Sequence, residues 1–301
     1  MIELPNLSVE RLPDHKVLID ADCVAYYGAA GCDTMPLGSA TRRVDLKMNQ
    51  ILDDCQAQSY EAYMTGNENF RDDVATLRRY KENRYDKDGK RIKAQPSWLQ
   101  ECRQYLVSEW GAVVINKMEA DDMLSIRAYE DQKKYTKLFI STLDKDLAIN
   151  TCWYHEQTSG NITNITQPGS IYLDAKCKLR GTGIKFFYAQ MLMGDQADCI
   201  VGLPKVTQWV KDTFNIPRIG GCGHKAAWCV LNDVDSPAEM ERRVYECYKS
   251  FWTLYGYRHW RTDKMYNPGI TTVNKQFLEQ GRLLWLRQSL DEMWTPRYIK
   301  I

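Results

Sequence analysis

Histidine and closely spaced cysteines are scarce in this chain, which limits the metal sites it can build. The sequence has 4 histidines, all well separated, and no two of its 10 cysteines form a C-x-x-C pair. Structural zinc sites usually take their ligands from such tight pairs. A zinc-binding domain is therefore not expected, and the cysteines are expected to be reduced thiols.

Long apolar runs and a strong excess of one charge are also missing. No run approaches the roughly 20 apolar residues that a membrane-spanning helix needs. The start, MIELPNLSVERLPDHKVLID, lacks the basic and apolar regions of a secretory signal. We therefore expect a cytoplasmic protein without a membrane partner. The net charge of +1 does not by itself indicate a binding partner.

The charges are nevertheless unevenly distributed along the chain. The stretch RRYKENRYDKDGKRIK, residues 78–93, holds eight basic residues against three acidic ones. Acidic residues cluster elsewhere, at the ends of apolar runs. A nearly neutral total can therefore conceal a basic rim beside an acidic hollow.

Strand-like and helix-like patterns alternate over the first half of the chain. The short apolar runs HKVLID, SYEAYMTG, AVVIN and KLFIST predict strands, and segments with helical spacing lie between them. This alternation predicts an α/β fold with a parallel sheet, in which ligands bind at the carboxyl ends of the strands. From about residue 236 onward the pattern is helical and rich in aromatic residues.

Acidic residues stand at four of the predicted strand ends or helix starts. They are Asp20, then Glu119, Asp121 and Asp122 in EADD, Asp144 and Asp146 in a D-x-D after LFIST, and Asp195 and Asp198 in GDQAD. Residues two apart in an extended segment, or three apart on a helix, point to one side and can share a cation. Oxygen ligands favour Mg²⁺ or Mn²⁺, and two such ions form the clamp used in phosphodiester hydrolysis. The alternative is that each acid only caps a helix.

Seven short motifs occur in a specific order over residues 16–231. They read VLIDAD, TGNENFR, YKENR, MEADDM, STLDKDL, GDQADCIVGLP and GGCGHKAA. In this order they resemble the 5′-nuclease (flap endonuclease) superfamily, and most closely the T-seven type of 5′→3′ exonucleases from lytic phages. The resemblance implies a PIN-like parallel-sheet core flanked by helices, with a helix–three-turn–helix element and a helical C-terminal region.

The resemblance also implies a domain organisation. Residues 1–195 would form the catalytic core, including a basic helical arch at about 70–95. Residues 195–235 would form the helix–three-turn–helix DNA-binding element, and residues 236–301 a helical region packed on the core. A monomer is expected.

In the resembling family the acidic residues bind two Mg²⁺ ions, for which Mn²⁺ can substitute. The ligands implied for the first ion are Asp20, Glu119, Asp121 and Asp122, and those implied for the second are Asp144, Asp146, Asp195 and Asp198. Asp20 and Asp146 are also implied to be catalytic. Relatives carry a further acid near the position of Gly66, so either Glu68 replaces it here or the first ion has one ligand fewer. Asp22 is expected to be a cap or a supporting residue.

The basic stretch is implied to bind DNA, and so is a glycine hairpin formed by the motif GGCGHKAA. Lys81 and Arg84 would reach the scissile phosphate as catalytic cations, and Tyr80 would stack on a terminal base. The remaining implied DNA-binding residues are Arg71, Arg78, Arg79, Gly221, Gly223 and Lys225, with K⁺ as a further ligand of the glycine hairpin. A solvated surface loop is the alternative for the basic stretch. Contact of Trp260 and Arg261 with DNA is left open.

The expected function is that of a Mg²⁺-dependent 5′→3′ exodeoxyribonuclease on duplex DNA, with flap endonuclease and RNase H activity. Its expected partners are duplex DNA with a 5′ end or flap, RNA–DNA hybrids and replication proteins, in phage DNA replication or recombination in the host cytoplasm. Two alternatives stay open: a PIN-type ribonuclease acting on single-stranded RNA, and a nucleic-acid-binding protein without catalysis.

Overall fold

The computed structural model describes residues 9–301, which separate into two compact units. The sheet unit comprises the described residues up to Asn67 with Gln95–Leu147 and Thr151–Asn164, and the helical unit comprises Glu68–Ala94, Ala148–Asn150 and Ile165–Ile301. The basic stretch therefore groups with the helical unit, whereas the sequence placed it in the core at 1–195. Residues 1–8 of that predicted core lie outside the described residues.

Strands and helices alternate through the first half of the chain. In order they are β1 (Leu12–Asp20), α1 (Ala21–Ala29), α2 (Leu37–Asp54), β2 (Ala57–Thr65), α3 (Arg71–Val74), α4 (Leu99–Trp110), β3 (Val113–Ile115), α5 (Ala120–Asp131), β4 (Lys137–Thr142), β5 (Cys152–Glu156) and β6 (Ile162–Ile165). The sheet order is β3-β2-β1-β4-β5-β6, and the pairings from β3 to β5 are parallel. The predicted α/β class with a parallel sheet is confirmed.

Apolar periodicity explains how the sheet unit builds its core. Val17–Ile19 in β1 is completely buried, as a continuous apolar run in a central parallel strand should be. Helix α2 buries Val44, Met48 and Ile51, the face that its helical spacing predicts. Each such side chain contributes about 1.5–3 kcal/mol when it leaves water.

Helix α4 ends where its sequence predicts. Gly111 follows its last residue with a φ of 63°, in the left-handed region, and its N–H donates to the carbonyl of Leu106. Glycine adopts this conformation without the steric cost that other residues meet.

A charged network ties β1 to β2 and α5 in the sheet unit. The Lys16 ammonium lies 2.6 Å from both Glu61 and Asp131, and Arg127 Nε donates to Glu61 at 2.8 Å. Burial alone would raise the pKa of Glu61, but the hydrogen bonds from Arg127 and Lys16 outweigh it and lower the pKa to about 2. Glu61 therefore stays ionised at neutral pH.

Helices dominate the helical unit after residue 165. In order the elements are β7 (Ile171–Leu173), β8 (Leu179–Gly181), α6 (Gly183–Met193), α7 (Gln208–Thr213), α8 (His224–Leu231), α9 (Pro237–Trp252), β9 (Tyr257–Arg258), β10 (Met265–Tyr266) and α10 (Ile270–Leu284). β7 pairs with β8 and β9 with β10, both antiparallel. Over residues 9–301 no helix is long and apolar enough to cross a membrane.

The helical pattern predicted after residue 236 is wrong between α9 and α10. Helix α9 ends at Trp252, and the β9–β10 ribbon follows. Gly256 gives the physical reason, because a Cβ at this position would collide with the backbone carbonyl of Tyr266 across the ribbon. The aromatic residues whose spacing resembled a helix face pack on this ribbon instead. The Tyr257 and Tyr266 rings are stacked with their centroids 4.8 Å apart.

Candidate functional site

The first candidate region is the edge of the sheet unit where β1 and β4 end. The two strands run side by side with Ile19 opposite Ser141, so Asp20 and Thr142 follow as neighbours. Thr142 Oγ1 donates to Asp20 Oδ2 at 2.8 Å, and the Asp144 N–H donates to Thr142 Oγ1 at 3.0 Å. These hydrogen bonds bring Asp20 and Asp144 to one edge, as the parallel sheet predicts.

Asp20 is a buried carboxylate that also caps α1. Its Oδ1 accepts from the N–H groups of Asp22 and Cys23 at 3.1 and 3.3 Å, and Cys23 Sγ donates to its Oδ2 at 2.9 Å. Burial, followed by the charge of Asp22, raises the pKa of Asp20. Within residues 9–301 its partners are hydrogen-bond donors rather than cations, so its charge is costly. A bound cation would offset that cost.

The acids at the start of α5 lie beside the end of β2. The Ala120 N–H donates to Thr65 Oγ1 at 3.0 Å, which fixes the helix start to the strand end. Glu119 and Asp122 form a capping box, and the side chain of Asp122 is buried. A capping box of this kind is the contact that the cap alternative predicts for these two residues.

The Cys23 thiol connects the acid of β1 with an acid of α5. Burial raises the pKa of Cys23 most, the charge of Asp20 comes next, and the charge of Asp121 adds to the effect. The charge of Asp121 therefore acts on the thiol that donates to Asp20. No sequence motif marks Cys23 as functional.

The D-x-D segment after β4 is not extended, which corrects the geometry expected for it. The chain enters a 3₁₀ turn over Lys145–Ile149, and Asp144 Oδ1 accepts from the Asp146 N–H at 2.8 Å. Lys145 Nζ lies 3.1 Å from Asp146 Oδ1. Aspartate favours this local turn because its short carboxylate reaches the N–H two residues on. Asp144 therefore stands at the edge through its turn and not through strand alternation.

An arginine that the sequence reading missed holds Asp22. Arg103 on α4 donates to Asp22 Oδ1 and, at 2.5 Å, to the Thr65 carbonyl, while the Thr65 N–H donates to Asp22 Oδ2 at 2.8 Å. A Cβ at Gly66 would lie 2.8 Å from the Ile115 carbonyl, so an acidic side chain does not fit there. Asp22 is therefore tied to the end of β2 and to α4. Neither spacing nor motif signals Arg103.

The donor chemistry of this edge suits a hard divalent cation, because its groups are carboxylate and hydroxyl oxygens. In the part of the chain that the structure describes, however, no group of three or more Asp, Glu, His or Cys side chains is arranged to hold a metal ion. Asp20 and Asp144 accept hydrogen bonds from N–H groups at this edge, and Glu119 takes part in a capping box. A carboxylate has two oxygens and several acceptor sites, so these contacts are compatible with binding a cation as well.

We define the basic arm as residues 78–93. In the helical unit, Asp198 binds the first residues of this arm. Tyr80 Oη and Arg84 Nη2 each donate to its carboxylate at 2.9 Å, and Lys81 Nζ lies 3.6 Å from it. Lys81 has a φ of 54°, which costs energy for a residue other than glycine. Asp198, which was predicted to be a metal ligand, therefore holds Lys81 and Arg84, the two predicted catalytic cations, side by side.

Asp195 lies at the start of the same loop. Its Oδ1 accepts from the Ala197 N–H at 2.7 Å, and its N–H donates to the Ile200 carbonyl at 2.9 Å. Asn83 Nδ2 donates to the Gln196 carbonyl at 2.9 Å. The segment GDQAD is thus a tight turn onto which the basic arm is docked.

Two residues predicted to bind DNA are buried, which corrects their expected roles. Arg71 is 2% exposed, and its guanidinium donates to the carbonyls of Leu283 and Trp285 at 3.0 and 3.2 Å. Tyr80 is 6% exposed, with its hydroxyl on Asp198. Arg71 therefore stabilises the end of α10, and the Tyr80 ring is not presented for stacking on a base.

The predicted helical arch is also wrong in its conformation. Over residues 70–95 the helical segments are α3 and the 3₁₀ turn Glu82–Arg84, and Tyr85 forms an isolated antiparallel bridge with Arg91. The arm is nevertheless exposed and basic. Arg78 pairs with Glu82 at 3.1 Å, and the Arg79 guanidinium lies 5.6 Å from the Tyr85 ring centroid.

The glycine hairpin opens onto a recess at the start of α8. The recess has a volume of about 600 Å³ and is lined by Gly221, Gly223, Lys225 and Arg218 among others. Neither Gly221 nor Gly223 has a positive φ, and a Cβ on Gly223 would meet nothing within 4 Å. Packing inside the protein therefore does not demand glycine here, which leaves close approach of a ligand to the backbone as a reason for it.

A buried Ser–His–Asp arrangement lies behind the acidic edge. Ser141 Oγ is 2.9 Å from His155 Nδ1, and His155 Nε2 is 3.2 Å from Asp54. Both Ser141 and His155 are essentially inaccessible, and burial lowers the pKa of His155 despite Asp54. A nucleophile needs access to substrate, so this arrangement supports β4 and β5 structurally.

No protein-family model and no curated protein sequence matches the chain. Among solved structures it is similar to a bacteriophage T5 5′-exonuclease with zinc ions, at TM-score 0.48 and 14% identity over 89% of this chain and 99% of that one. A T5 protein co-crystallised with metal ions gives TM-score 0.47 and 15% identity, covering 77% and 88%. A T5 flap endonuclease complex with DNA and metal ions gives TM-score 0.44 and 13% identity, covering 89% and 98%.

Proposed function

We propose that the chain is a Mg²⁺-dependent 5′→3′ exodeoxyribonuclease on duplex DNA, with flap endonuclease and RNase H activity. We further propose a role in phage DNA replication or recombination, with RNA–DNA hybrids among its substrates and replication proteins among its partners. The observation that carries the proposal is Asp20, a buried carboxylate at the carboxyl ends of parallel strands whose described partners are neutral donors. A buried charge of this kind calls for a cation.

The acidic edge would hold divalent cations through residues of the sheet unit. Asp20 and Asp144, which hydrogen bonds through Thr142 bring to this edge, are proposed ligands together with Asp121, Glu119 and Asp122 at the start of α5. Asp146 is proposed as a further ligand. When bound, the cations would supply an activated water and stabilise charge on the leaving oxygen.

The basic arm would bind the scissile phosphate. Lys81 and Arg84 are held by Asp198 at 3.6 and 2.9 Å, so a phosphate would compete with that carboxylate for them. Cations beside a phosphodiester offset the charge that develops as water attacks phosphorus and the bond to the 3′-oxygen breaks. The products would carry 5′-phosphates. Asp198 and Asp195 are retained as proposed ligands of a second ion, by the resemblance alone.

The glycine recess would bind the DNA backbone outside the reacting phosphate. Gly221 and Gly223 let a phosphate approach main-chain N–H groups at the start of α8, and Lys225 adds a positive charge there. A K⁺ ion framed by the hairpin carbonyls is proposed as well. Arg78 and Arg79 would hold phosphates along the exposed arm.

The direct test is digestion of end-labelled 5′-recessed and flapped duplexes in Mg²⁺ and in EDTA. We expect shortening from the 5′ end in Mg²⁺ alone, and loss of cleavage in Asp20→Asn. Asp53→Asn is a matched control, since this carboxylate of the same unit pairs with Arg11 on the surface at 2.7 Å. Full cleavage by Asp20→Asn would refute the proposed metal site.

Two further outcomes would favour the alternatives. Faster cleavage of single-stranded RNA than of duplex DNA would indicate a PIN-type ribonuclease. A gel shift of DNA in Mg²⁺ without any cleavage would indicate a nucleic-acid-binding protein. The glycine recess and the docked basic arm favour duplex DNA over single-stranded RNA, and the retained acidic residues favour catalysis over binding alone.

A further inference from the structure

A second basic and aromatic surface lies on the helical unit at the β9–β10 ribbon. We define the aromatic hairpin as residues 257–266. Trp260 at its tip is 37% exposed, and the Arg261 guanidinium lies 5.0 Å from the Trp260 ring centroid. Among the other tryptophans of the helical unit, Trp252 and Trp294 are buried, Trp228 and Trp285 are half-buried and Trp209 is exposed. Trp260 combines an exposed ring with a guanidinium beside it.

The hairpin tip is fixed to residues 72–76, just before the basic arm, by main-chain and side-chain hydrogen bonds. The Trp260 N–H donates to the Thr76 carbonyl at 3.1 Å, and its Nε1 donates to the Ala75 carbonyl at 2.9 Å. Arg261 Nη2 donates to the Asp72 carbonyl at 2.8 Å. The Trp260 indole is therefore held against Ala75 and Thr76, which precede the basic arm in sequence. Because its side chain is already fixed, Trp260 would lose little conformational entropy when a ligand binds to it.

The buried carboxylate of Glu279 makes this attachment rigid. Its Oε1 accepts from the N–H groups of Thr76 and Leu77 at 2.8 Å each. Thr76 Oγ1 also lies 2.9 Å from the Tyr257 hydroxyl of the hairpin. The hairpin, the residues Thr76 and Leu77 just before the arm, and α10 thus form one continuous hydrogen-bonded network.

Cations continue the surface along the hairpin. Lys264 Nζ and Lys275 Nζ lie 5.2 and 4.7 Å from the Tyr266 ring centroid. Two arginines are partly neutralised, Arg258 by Asp263 at 2.9 Å and Arg261 by Asp73 at 3.5 Å. Net charge is thus modest, so the aromatic rings and not charge alone distinguish this surface.

An aromatic ring fixed among cations matches the chemistry of single-stranded nucleic acid. Unpaired bases stack on aromatic side chains, whereas bases inside a duplex are covered by their neighbours. The cations suit the phosphates on either side of a stacked base. A protein partner would instead favour a contiguous apolar patch, which the hairpin with its Arg and Lys residues does not present.

We propose that the aromatic hairpin is a binding site for single-stranded nucleic acid, with Trp260 as the stacking residue. In the proposed nuclease it would hold the unpaired 5′ strand of a flap beside the basic arm. That last assignment rests on the proposed function, whereas binding of a single strand by the hairpin does not.

The test is binding of a labelled oligothymidylate of about ten nucleotides to the full chain, followed by fluorescence anisotropy. Loss of one stacked base costs about 1–3 kcal/mol, so Trp260→Ala should weaken binding by about fivefold to a hundredfold. Trp260→Phe keeps a stacking ring and should retain most of the affinity. Arg261→Ala should weaken binding and reduce its salt dependence. The same variants should lower the cleavage of flapped relative to 5′-recessed duplexes.

Trp209→Ala is the matched control, because Trp209 is 46% exposed on α7 outside the hairpin. Wild-type affinity in both Trp260→Ala and Arg261→Ala would overturn the proposal. Equal losses in Trp260→Phe and Trp260→Ala would overturn the stacking role, since only the indole N–H bond to Ala75 would then matter. An equal loss in Trp209→Ala would also overturn it. If no DNA is cut by the wild type while Trp260 still controls binding, the hairpin site stands and the nuclease proposal fails.

Discussion

Replacing Arg71 by alanine separates a structural cation from a DNA-binding one. The motif resemblance assigned Arg71 to DNA, but its guanidinium is buried and donates to the carbonyls of Leu283 and Trp285. These carbonyls belong to the end of α10, where the helix dipole also favours a positive charge. We therefore expect Arg71→Ala to lower the stability of the chain and to leave the intrinsic DNA affinity of the folded protein almost unchanged.

The size of the effect follows from the hydrogen bonds to Leu283 and Trp285. Each bond from a charged donor contributes about 1.5–3 kcal/mol, and truncation leaves these carbonyls without this donor. A cavity adds to the loss. We expect the free energy of unfolding to fall by about 3–5 kcal/mol, which is a large share of the roughly 5–15 kcal/mol of a typical domain. Arg71→Lys, which keeps the charge but not the fork of donors, should lie in between.

The assay pairs urea unfolding with DNA binding at several salt concentrations. Arg78→Ala is the matched control, because Arg78 on the basic arm is 54% exposed in an ion pair with Glu82. It should cost only about 0.3–0.5 kcal/mol of stability. Arg78→Ala should also weaken DNA binding. It should reduce the slope of log K for DNA binding against log salt concentration by about 0.9.

One result would refute this reasoning about Arg71. If Arg71→Ala unfolds at the wild-type urea concentration but binds DNA more weakly with a reduced salt slope, Arg71 contacts phosphate directly. The burial of its guanidinium would then not represent the DNA-bound protein.

Three further predictions concern the acids and the arm. Asp146→Asn and Asp195→Asn should keep wild-type thermal unfolding and abolish DNA cleavage; wild-type turnover in both would remove the second ion from the account. Lys81→Ala should slow single-turnover cleavage far more than it weakens duplex binding, and the reverse pattern would make it a docking residue. Glu61→Gln should destabilise the chain most at neutral pH. Because the pKa of Glu61 is lowered to about 2, its contribution is complete above the unfolded value of 4.5 and is lost as the pH falls toward 2. Urea unfolding of the wild type and of Glu61→Gln at pH 7 and pH 3 checks this. A stability difference between the two proteins that is larger at pH 3 than at pH 7 would contradict it.

The sheet unit was predictable from sequence because its signals are local. A continuous apolar run such as Val17–Ile19 marks a central parallel strand wherever it occurs, and helical spacing marks α2 without knowledge of its partners. The position of Asp20 at the strand end follows from the same pattern. Parallel pairing then sets the end of β4 beside it, and the turn that follows β4 carries Asp144 to the same edge.

The basic arm could not be predicted because its conformation depends on distant contacts. Its composition suits a helix, yet Asn83 and Arg84 bind the loop at 196–198, more than a hundred positions away, and the chain around Lys81 follows that loop. The burial of Arg71 likewise depends on carbonyls at the end of α10. Arg103 carries no motif, since its role is set only by the fold that places Asp22 within its reach.

The central claim is that the acidic edge of the sheet unit binds divalent cations, and anomalous scattering from Mn²⁺-soaked crystals tests it most directly. We predict an anomalous peak about 2.1 Å from a carboxylate oxygen of Asp20, with Asp121 or Asp144 as a second ligand. Density showing Asp20 still bound only to Thr142 and Cys23, with every manganese ion elsewhere on the protein, would contradict it.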